Sequence, residues 1–193
     1  MSSAGISERN YAGTVLVLGA TGKTGRRIVE RLEAKGVPTR RGSRSAVPSF
    51  DWNNEANWDE VLAGVEAVYI NYAPDLAMPG ATDSIQALVD RAKQHGVKHL
   101  VLLSGRGEEE AQACERIIQN SGIDWTIVRA SWFNQNFSEG AFVEMVQAGQ
   151  ITLPAVDTPE PFVDVDDIAD IAAAALTEPG HAGELYEVTG PRL

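Results

Sequence analysis

Thr14-Val15-Leu16-Val17-Leu18-Gly19-Ala20-Thr21-Gly22-Lys23-Thr24-Gly25-Arg26-Arg27 is the stretch on which the fold turns. It opens as an unbroken apolar run of strand length. Three glycines follow at even spacing, and Ile28, Val29 and Leu32 then recur with helical periodicity up to Gly36, a helix stop. Strand, glycine turn and helix together form the setting a dinucleotide-binding fingerprint needs. Gly19 would allow the tight turn, Gly22 would let backbone approach a pyrophosphate, and Gly25 would let the helix lie close on the strand. The free N–H groups and dipole of the helix start favour an anion there. The Gly22-Lys23-Thr24 triplet imitates the end of a nucleotide-triphosphate loop. That loop requires a glycine where this chain has Val17, inside the strand, so this reading is rejected.

Outward from this stretch, strand-like and helix-like segments alternate. Val65 to Tyr72, Leu100 to Ser104, Ile123 to Arg129 and Glu184 to Thr189 read as strands. Helical stripes run through Trp58 to Leu62, Ile85 to Ala92, Glu108 to Ser121 and Ile168 to Ala175. Phe162 to Ile168 reads as a short strand leading into a capped helix, its acids serving as caps. No repeat or linker interrupts the alternation, which predicts an α/β protein: a Rossmann-type doubly wound parallel sheet with helices on both faces. Residues 1–13 are small and polar and read as a flexible lead-in; residues 14–193 form the single domain.

Composition narrows the function classes. Hydrophobic residues make up 44% of the 193, enough for a full core, and the formal net charge is −11. Such a balance disfavours nucleic acid and anionic membrane, which call for a basic face. The single cysteine, Cys114, cannot form an internal disulfide and sits on an apolar helical face with Ala111, Ile117 and Ile118, where packing is expected. His95 and His99 flank a helix end without an acidic or cysteine cluster and are expected to cap it or meet solvent; no metal site is read. No signal peptide or membrane-length apolar run is recognised, and a cytoplasmic protein is expected.

The second strand is due about twenty residues after the glycines, at Val37 to Ser45. A site for NAD would end it with Asp or Glu to hold the ribose 2′-hydroxyl. Here stand Arg40, Arg41 and Arg44 with Ser43 and Ser45, groups suited to a 2′-phosphate, so NADP(H) is read over NAD(H). Asp51, between Phe50 and Trp52, has two readings: an acceptor for the adenine amino group beside an apolar wall, or a helix-capping acid beside buried aromatics. Asn71 to Pro74 lies at a strand's carboxyl end, where ligands bind in such sheets. Trp132, Phe133, Asn134 and Phe137 suit either a planar ligand held by stacking and hydrogen bonds or a packed connection to the next helix.

Gly-Ala-Thr-Gly-Lys-Thr-Gly-Arg-Arg (19–27), Gly-Ser-Arg-Ser (42–45), Phe-Asp-Trp (50–52), Trp-Thr-Ile-Val-Arg (125–129), Trp-Phe-Asn-Gln-Asn-Phe-Ser-Glu-Gly (132–140) and Phe-Val-Asp-Val-Asp-Asp-Ile-Ala (162–169) resemble the NmrA-like branch of atypical short-chain dehydrogenase/reductases. Within it the chain is similar to bacterial relatives of the ergot-alkaloid reductases. The resemblance implies an NADP(H)-binding domain. Gly19, Thr21, Gly22, Lys23, Thr24 and Gly25 would carry the pyrophosphate; Arg44, with Ser43 and Ser45, the 2′-phosphate. Asp51 and Trp52 would flank adenine, and Tyr72 and Ser104 would lie near ribose and nicotinamide.

Two departures stand out. Ordinary short-chain dehydrogenases pair Tyr-x-x-x-Lys for proton transfer. Here Tyr11, Tyr69, Tyr72 and Tyr186 are followed at that spacing by Val15, Ala73, Leu76 and Gly190. The family pattern also continues beyond the Thr189-Gly190-Pro191 segment, so a reduced or missing C-terminal substrate region is expected. The expected function is an NADPH-dependent reductase of a small electrophilic, quinone- or imine-like substrate. The alternative is a non-catalytic NADP(H) redox sensor. Expected partners are a small-molecule substrate and either a second copy of the chain or a regulatory protein.

Overall fold

The computed structural model describes residues 13–140, 142–153 and 159–191. Apart from Gly13, the expected lead-in lies outside them, as does most of the connection at 154–158. Six parallel strands form one sheet: β1 (Thr14–Leu18), β2 (Thr39–Gly42), β3 (Val65–Ile70), β4 (His99–Gly105), β5 (Asp124–Ala130) and β6 (Glu184–Val188). Their spatial order is β2-β1-β3-β4-β5-β6. The chain therefore leaves β1 toward one edge for β2 and returns past β1 for β3. This reversal beside β1 makes the switch point at whose carboxyl ends a crevice opens.

Successive side chains of β1 point to opposite faces, and both faces are buried. Val15 and Val17 join Ile28, Val29 and Leu32 of α1 (Lys23–Ala34) and Ile168, Ala172 and Leu176 of α7 (Val165–Thr177). Leu16 and Leu18 face Trp58, Val61 and Leu62 of α2 (Trp58–Leu62), Ile85, Leu88 and Ala92 of α3 (Ala81–Gln94), and Ala111, Cys114 and Ile118 of α4 (Glu109–Gln119). Two helical layers thus sandwich one sheet, and the doubly wound expectation holds. Cys114 is fully buried, and burial, with Glu115 adding to it, pushes its thiol up to about 11. Packing is its role.

Two expectations change. Phe162 to Ile168 holds no strand beyond a single parallel bridge between Phe133 and Val163. Asp164 interrupts it by capping α7, its side chain accepting from the Asp166 N–H. His99 neither caps nor meets solvent: it opens β4 and is buried, with Nε2 2.9 Å from Thr126 Oγ1 of β5. His95 does lie at the surface, 2.9 Å from Asp59.

Candidate active site

At the end of β1, Gly19 takes φ +69°, the left-handed region that glycine enters without strain, and its carbonyl accepts the Gly22 N–H at 2.8 Å. Gly22 is the extended N-cap of α1 and offers no side chain there. A methyl group at Gly25 would stand 2.1 Å from the Gly19 carbonyl oxygen, so only glycine lets the helix sit this close. At Gly22 a methyl would stand 3.2 Å from the same oxygen. The first-turn N–H groups of α1 have no intrahelical acceptor. The cradle is the shape a pyrophosphate requires, and any side chain on it would fill the space.

The remaining residues of the turn divide. Thr21 is exposed at its tip. Thr24 is buried: its hydroxyl accepts from Tyr69 at 2.9 Å, and Asn71 Nδ2 lies 3.5 Å away. Thr24 can therefore serve an anion only through its backbone N–H. The Lys23 ammonium reaches sideways and donates to Asn136 Oδ1 at 3.1 Å.

Beside this cradle lies the end of β2. Leu18 pairs with Gly42, and the Gly42 carbonyl accepts the Ala20 N–H at 3.2 Å, so Ser43 to Ser45 flank the glycine turn. The three arginines differ in occupation. Arg40 donates to the carbonyls of Val61 and Ala63, capping the end of α2. Arg41 pairs with Glu33 at 2.8 Å. Arg44 is exposed and has neither hydrogen bond nor ion pair among the described residues. The hydroxyls of Ser43 and Ser45 lie 3.2 Å apart, next to it.

Asp51 Oδ1 accepts the Asn53 N–H at 2.9 Å, which makes it a turn cap. Trp52 donates its indole N–H to the Asn71 carbonyl and packs on Tyr72, ring centroids 4.8 Å apart. A half-buried aromatic wall runs from Phe50 through Trp52 to Tyr72 alongside the nucleotide cradle.

Across the switch point a cavity of about 390 Å³ opens at the carboxyl ends of β3, β4 and β5. Asn71, Tyr72 and Asp75 wall it from the loop after β3; Ser104, Arg106 and Glu108 from the end of β4; Trp132, Phe133, Asn136 and Phe142 from the segment after β5. Lys23 closes the side toward the glycine turn. Ser104 is buried and donates to Glu115 at 2.6 Å. Glu115, also buried, holds Arg129 with two hydrogen bonds of 2.9 and 2.6 Å, and this bidentate pair raises the Arg129 guanidinium further. Ser104 is therefore a fixed polar floor beneath the cavity.

Of the four residues expected to meet a substrate, Trp132 and Phe133 line this cavity. Asn134 does not: it is exposed, and its N–H donates to the Val163 carbonyl. Phe137 does not line it either, packing instead on Phe142 and Phe162. The tight turn at Asn134-Gln135 turns the chain before α5 (Asn136–Glu139), so Asn136 faces inward in place of Asn134. Asn136, Phe142, Arg106 and Glu108 went unrecognised in the sequence. Glu108 read only as an acidic helix start.

The aromatic segment is clasped to α1. Glu139 accepts from Arg26 at 2.6 Å and from Arg27 at 2.9 Å, hydrogen bonds that pull its carboxyl down to about 2. Arg27 and Arg31 extend the row to Asp166 of α7. Among the described residues no helix is long and apolar enough to cross a membrane, and no group of acidic, His or Cys side chains could hold a metal ion.

Comparison with known proteins follows the same lines. A family described as NAD(P)H-binding matches residues 19–179. An agroclavine dehydrogenase of Claviceps fusiformis is 32% identical over 93% of this chain and 68% of its own. Prestalk A differentiation protein A of Dictyostelium discoideum is 29% identical over 93% of this chain, which spans 64% of that protein's length. A Citrobacter triphenylmethane reductase solved with NADP(H) superposes with a TM-score of 0.73 at 20% identity, over 93% of this chain and 70% of that one.

Proposed function

The chain belongs to the NmrA-like NAD(P)H-binding family, and on that premise we propose that it is an NADPH-dependent reductase of a small, flat, electrophilic acceptor of quinone or imine type. One observation carries the choice of coenzyme: beside the glycine cradle, where a carboxylate would answer a free ribose, Arg44 stands without a partner among the described residues. Its planar fork suits a phosphate held in two hydrogen bonds. Ser43 and Ser45 offer hydroxyls to the same group. Backbone N–H groups of Lys23, Thr24 and Gly25 would hold the pyrophosphate, and the wall of Trp52 and Tyr72 would flank the nucleoside. When bound, the coenzyme supplies a hydride.

The protein's part is to orient the acceptor. Trp132, Phe133, Phe142 and Tyr72 offer faces for a planar ring, and the apolar walls exclude water. The dehydrogenase and reductase names among its relatives accord with such an acceptor. A net charge of −11 favours a small-molecule substrate over nucleic acid.

The missing Tyr-x-x-x-Lys pair supports a second reading, a sensor that binds NADP(H) and signals through a regulatory partner or a second copy. NADPH consumption against a panel of quinones and imines separates the two, with coenzyme binding measured independently. The reductase reading expects turnover of at least one class. Tight binding with no turnover of any panel member would leave the sensor.

A further inference from the structure

We propose that Glu108 is the catalytic acid of this site, giving a proton to the oxygen or nitrogen of the acceptor as the acceptor is reduced; the assignment rests on the reductase reading above. A neutral acceptor needs a proton as well as a hydride, and the chain lacks the tyrosine–lysine pair that would deliver it. Four observations converge on Glu108. It lines the cavity, together with Ser104, Tyr72 and Trp132. It occupies the N-cap position of α4 yet makes no capping hydrogen bond, so its carboxyl is not spent on the helix. The carboxyl folds back over Gly105, where a methyl group would stand 2.2 Å from Oε2; the glycine leaves it that room. Its side chain makes no hydrogen bond or ion pair among the described residues.

The other polar groups of the cavity are engaged or ill suited. Ser104 donates to Glu115, the Lys23 ammonium to Asn136, and Asp75 accepts the Ala77 N–H. Tyr72 belongs to no Tyr-x-x-x-Lys pair, Leu76 standing at the fourth position. The charged neighbours of Glu108 are Asp75 from the loop after β3 and Glu110 in the first turn of α4, and Arg106 and Lys23 also line the cavity. Burial raises its carboxyl first, and the negative charges of Asp75 and Glu110 raise it further, the direction that suits a proton donor.

The step balances as follows. Glu108 gives its proton to the acceptor's oxygen or nitrogen as that atom takes up the π-electron pair displaced by hydride arriving at the other end of the π-system. The acceptor gains two electrons and two hydrogens, NADPH becomes NADP+, and the carboxylate regains a proton from water.

The test uses the full chain with Glu108→Gln and, as the rival donor, Tyr72→Phe. Two acceptors are compared: a neutral quinone, and a permanently quaternary iminium that accepts hydride and has no site for a proton. Glu108→Gln is expected to lower kcat with the quinone by roughly 100-fold, with NADPH affinity retained. It should abolish the fall in rate that the wild type shows as pH rises through the Glu108 pKa. With the iminium the loss should be at least about tenfold smaller. A separate readout is carboxyl 13C titration of the protein without substrate, which should give Glu108 a midpoint above that of an ordinary glutamate. Glu108→Gln with wild-type rate and pH profile on the quinone, the whole loss moving to Tyr72→Phe, or an ordinary midpoint would overturn the assignment while leaving the reductase reading intact. Failure of the wild type to reduce either acceptor despite binding NADPH would overturn both.

Discussion

At position 44 a guanidinium stands in solvent just past the end of β2, and the two other arginines of the stretch, Arg40 and Arg41, have already found partners inside the molecule. That difference could not be read from the sequence, where Arg40, Arg41 and Arg44 are equivalent cations. Only the fold brings the α2 carbonyls to Arg40 and Glu33 to Arg41. On the proposed coenzyme role, replacing Arg44 with alanine would remove a charge-assisted contact to the 2′-phosphate, a loss of about 1.5–3 kcal/mol. NADPH affinity is expected to fall roughly 10- to 100-fold while NADH affinity barely changes. Equal loss for both coenzymes, measured by fluorescence titration, would remove the residue from that role. Glu108 stayed hidden for a related reason. An acid at a helix start already has an explanation in the dipole, and only the cavity it lines separates this one from Glu109 and Glu110. Thr24 shows the converse: a residue of the glycine motif whose side chain the fold turns inward to Tyr69.

The elements were more legible than the side chains. The glycine turn announced itself because its spacing is a backbone requirement, met locally by Gly19 at positive φ and by Gly25 against the Gly19 carbonyl. The segment after β5 was half legible. Its aromatics and amides suggested a ligand wall, but the turn at Asn134-Gln135 decides which of them face the cavity, and no periodicity encodes that turn. Two tests belong to this scale. The buried Glu115–Arg129 pair ties α4 to β5 under Ser104; Glu115→Ala would leave Arg129 with only the exposed Glu187 and cost about 3 kcal/mol. The melting temperature should drop by roughly 10 °C in calorimetry, and an unchanged melt would show the pair to be idle. The clasp on α5 should respond to acid. The Glu139 carboxyl is held well below its ordinary value of 4.5, at about 2. Its contribution is therefore complete above pH 4.5 and is lost as pH falls toward 2. Amide exchange at Ser138 and Glu139 should speed up over that window. Glu139→Gln, which removes the charge, should bring the same loss at neutral pH; protection unmoved by the substitution would contradict the clasp.

At the scale of the whole molecule, one topological fact arranges everything else. Because β2 and β3 leave β1 on opposite sides, the crevice at the carboxyl ends has two arms. One arm, over β2, carries Arg44 and the serines; the other, over β3 to β5, carries the aromatic cavity and Glu108. A dinucleotide lying across β1 would set its 2′-phosphate in the first and its nicotinamide at the mouth of the second. The row of ion pairs from Arg26 to Asp166 ties α1 to α5 and α7, and so joins the cradle to the aromatic segment. This account is tested most directly by isothermal titration calorimetry of the pure protein with NADPH and NADH in turn. It predicts saturable one-to-one heat for NADPH and binding at least about tenfold weaker for NADH. No heat with either coenzyme, or tighter binding of NADH, would contradict it.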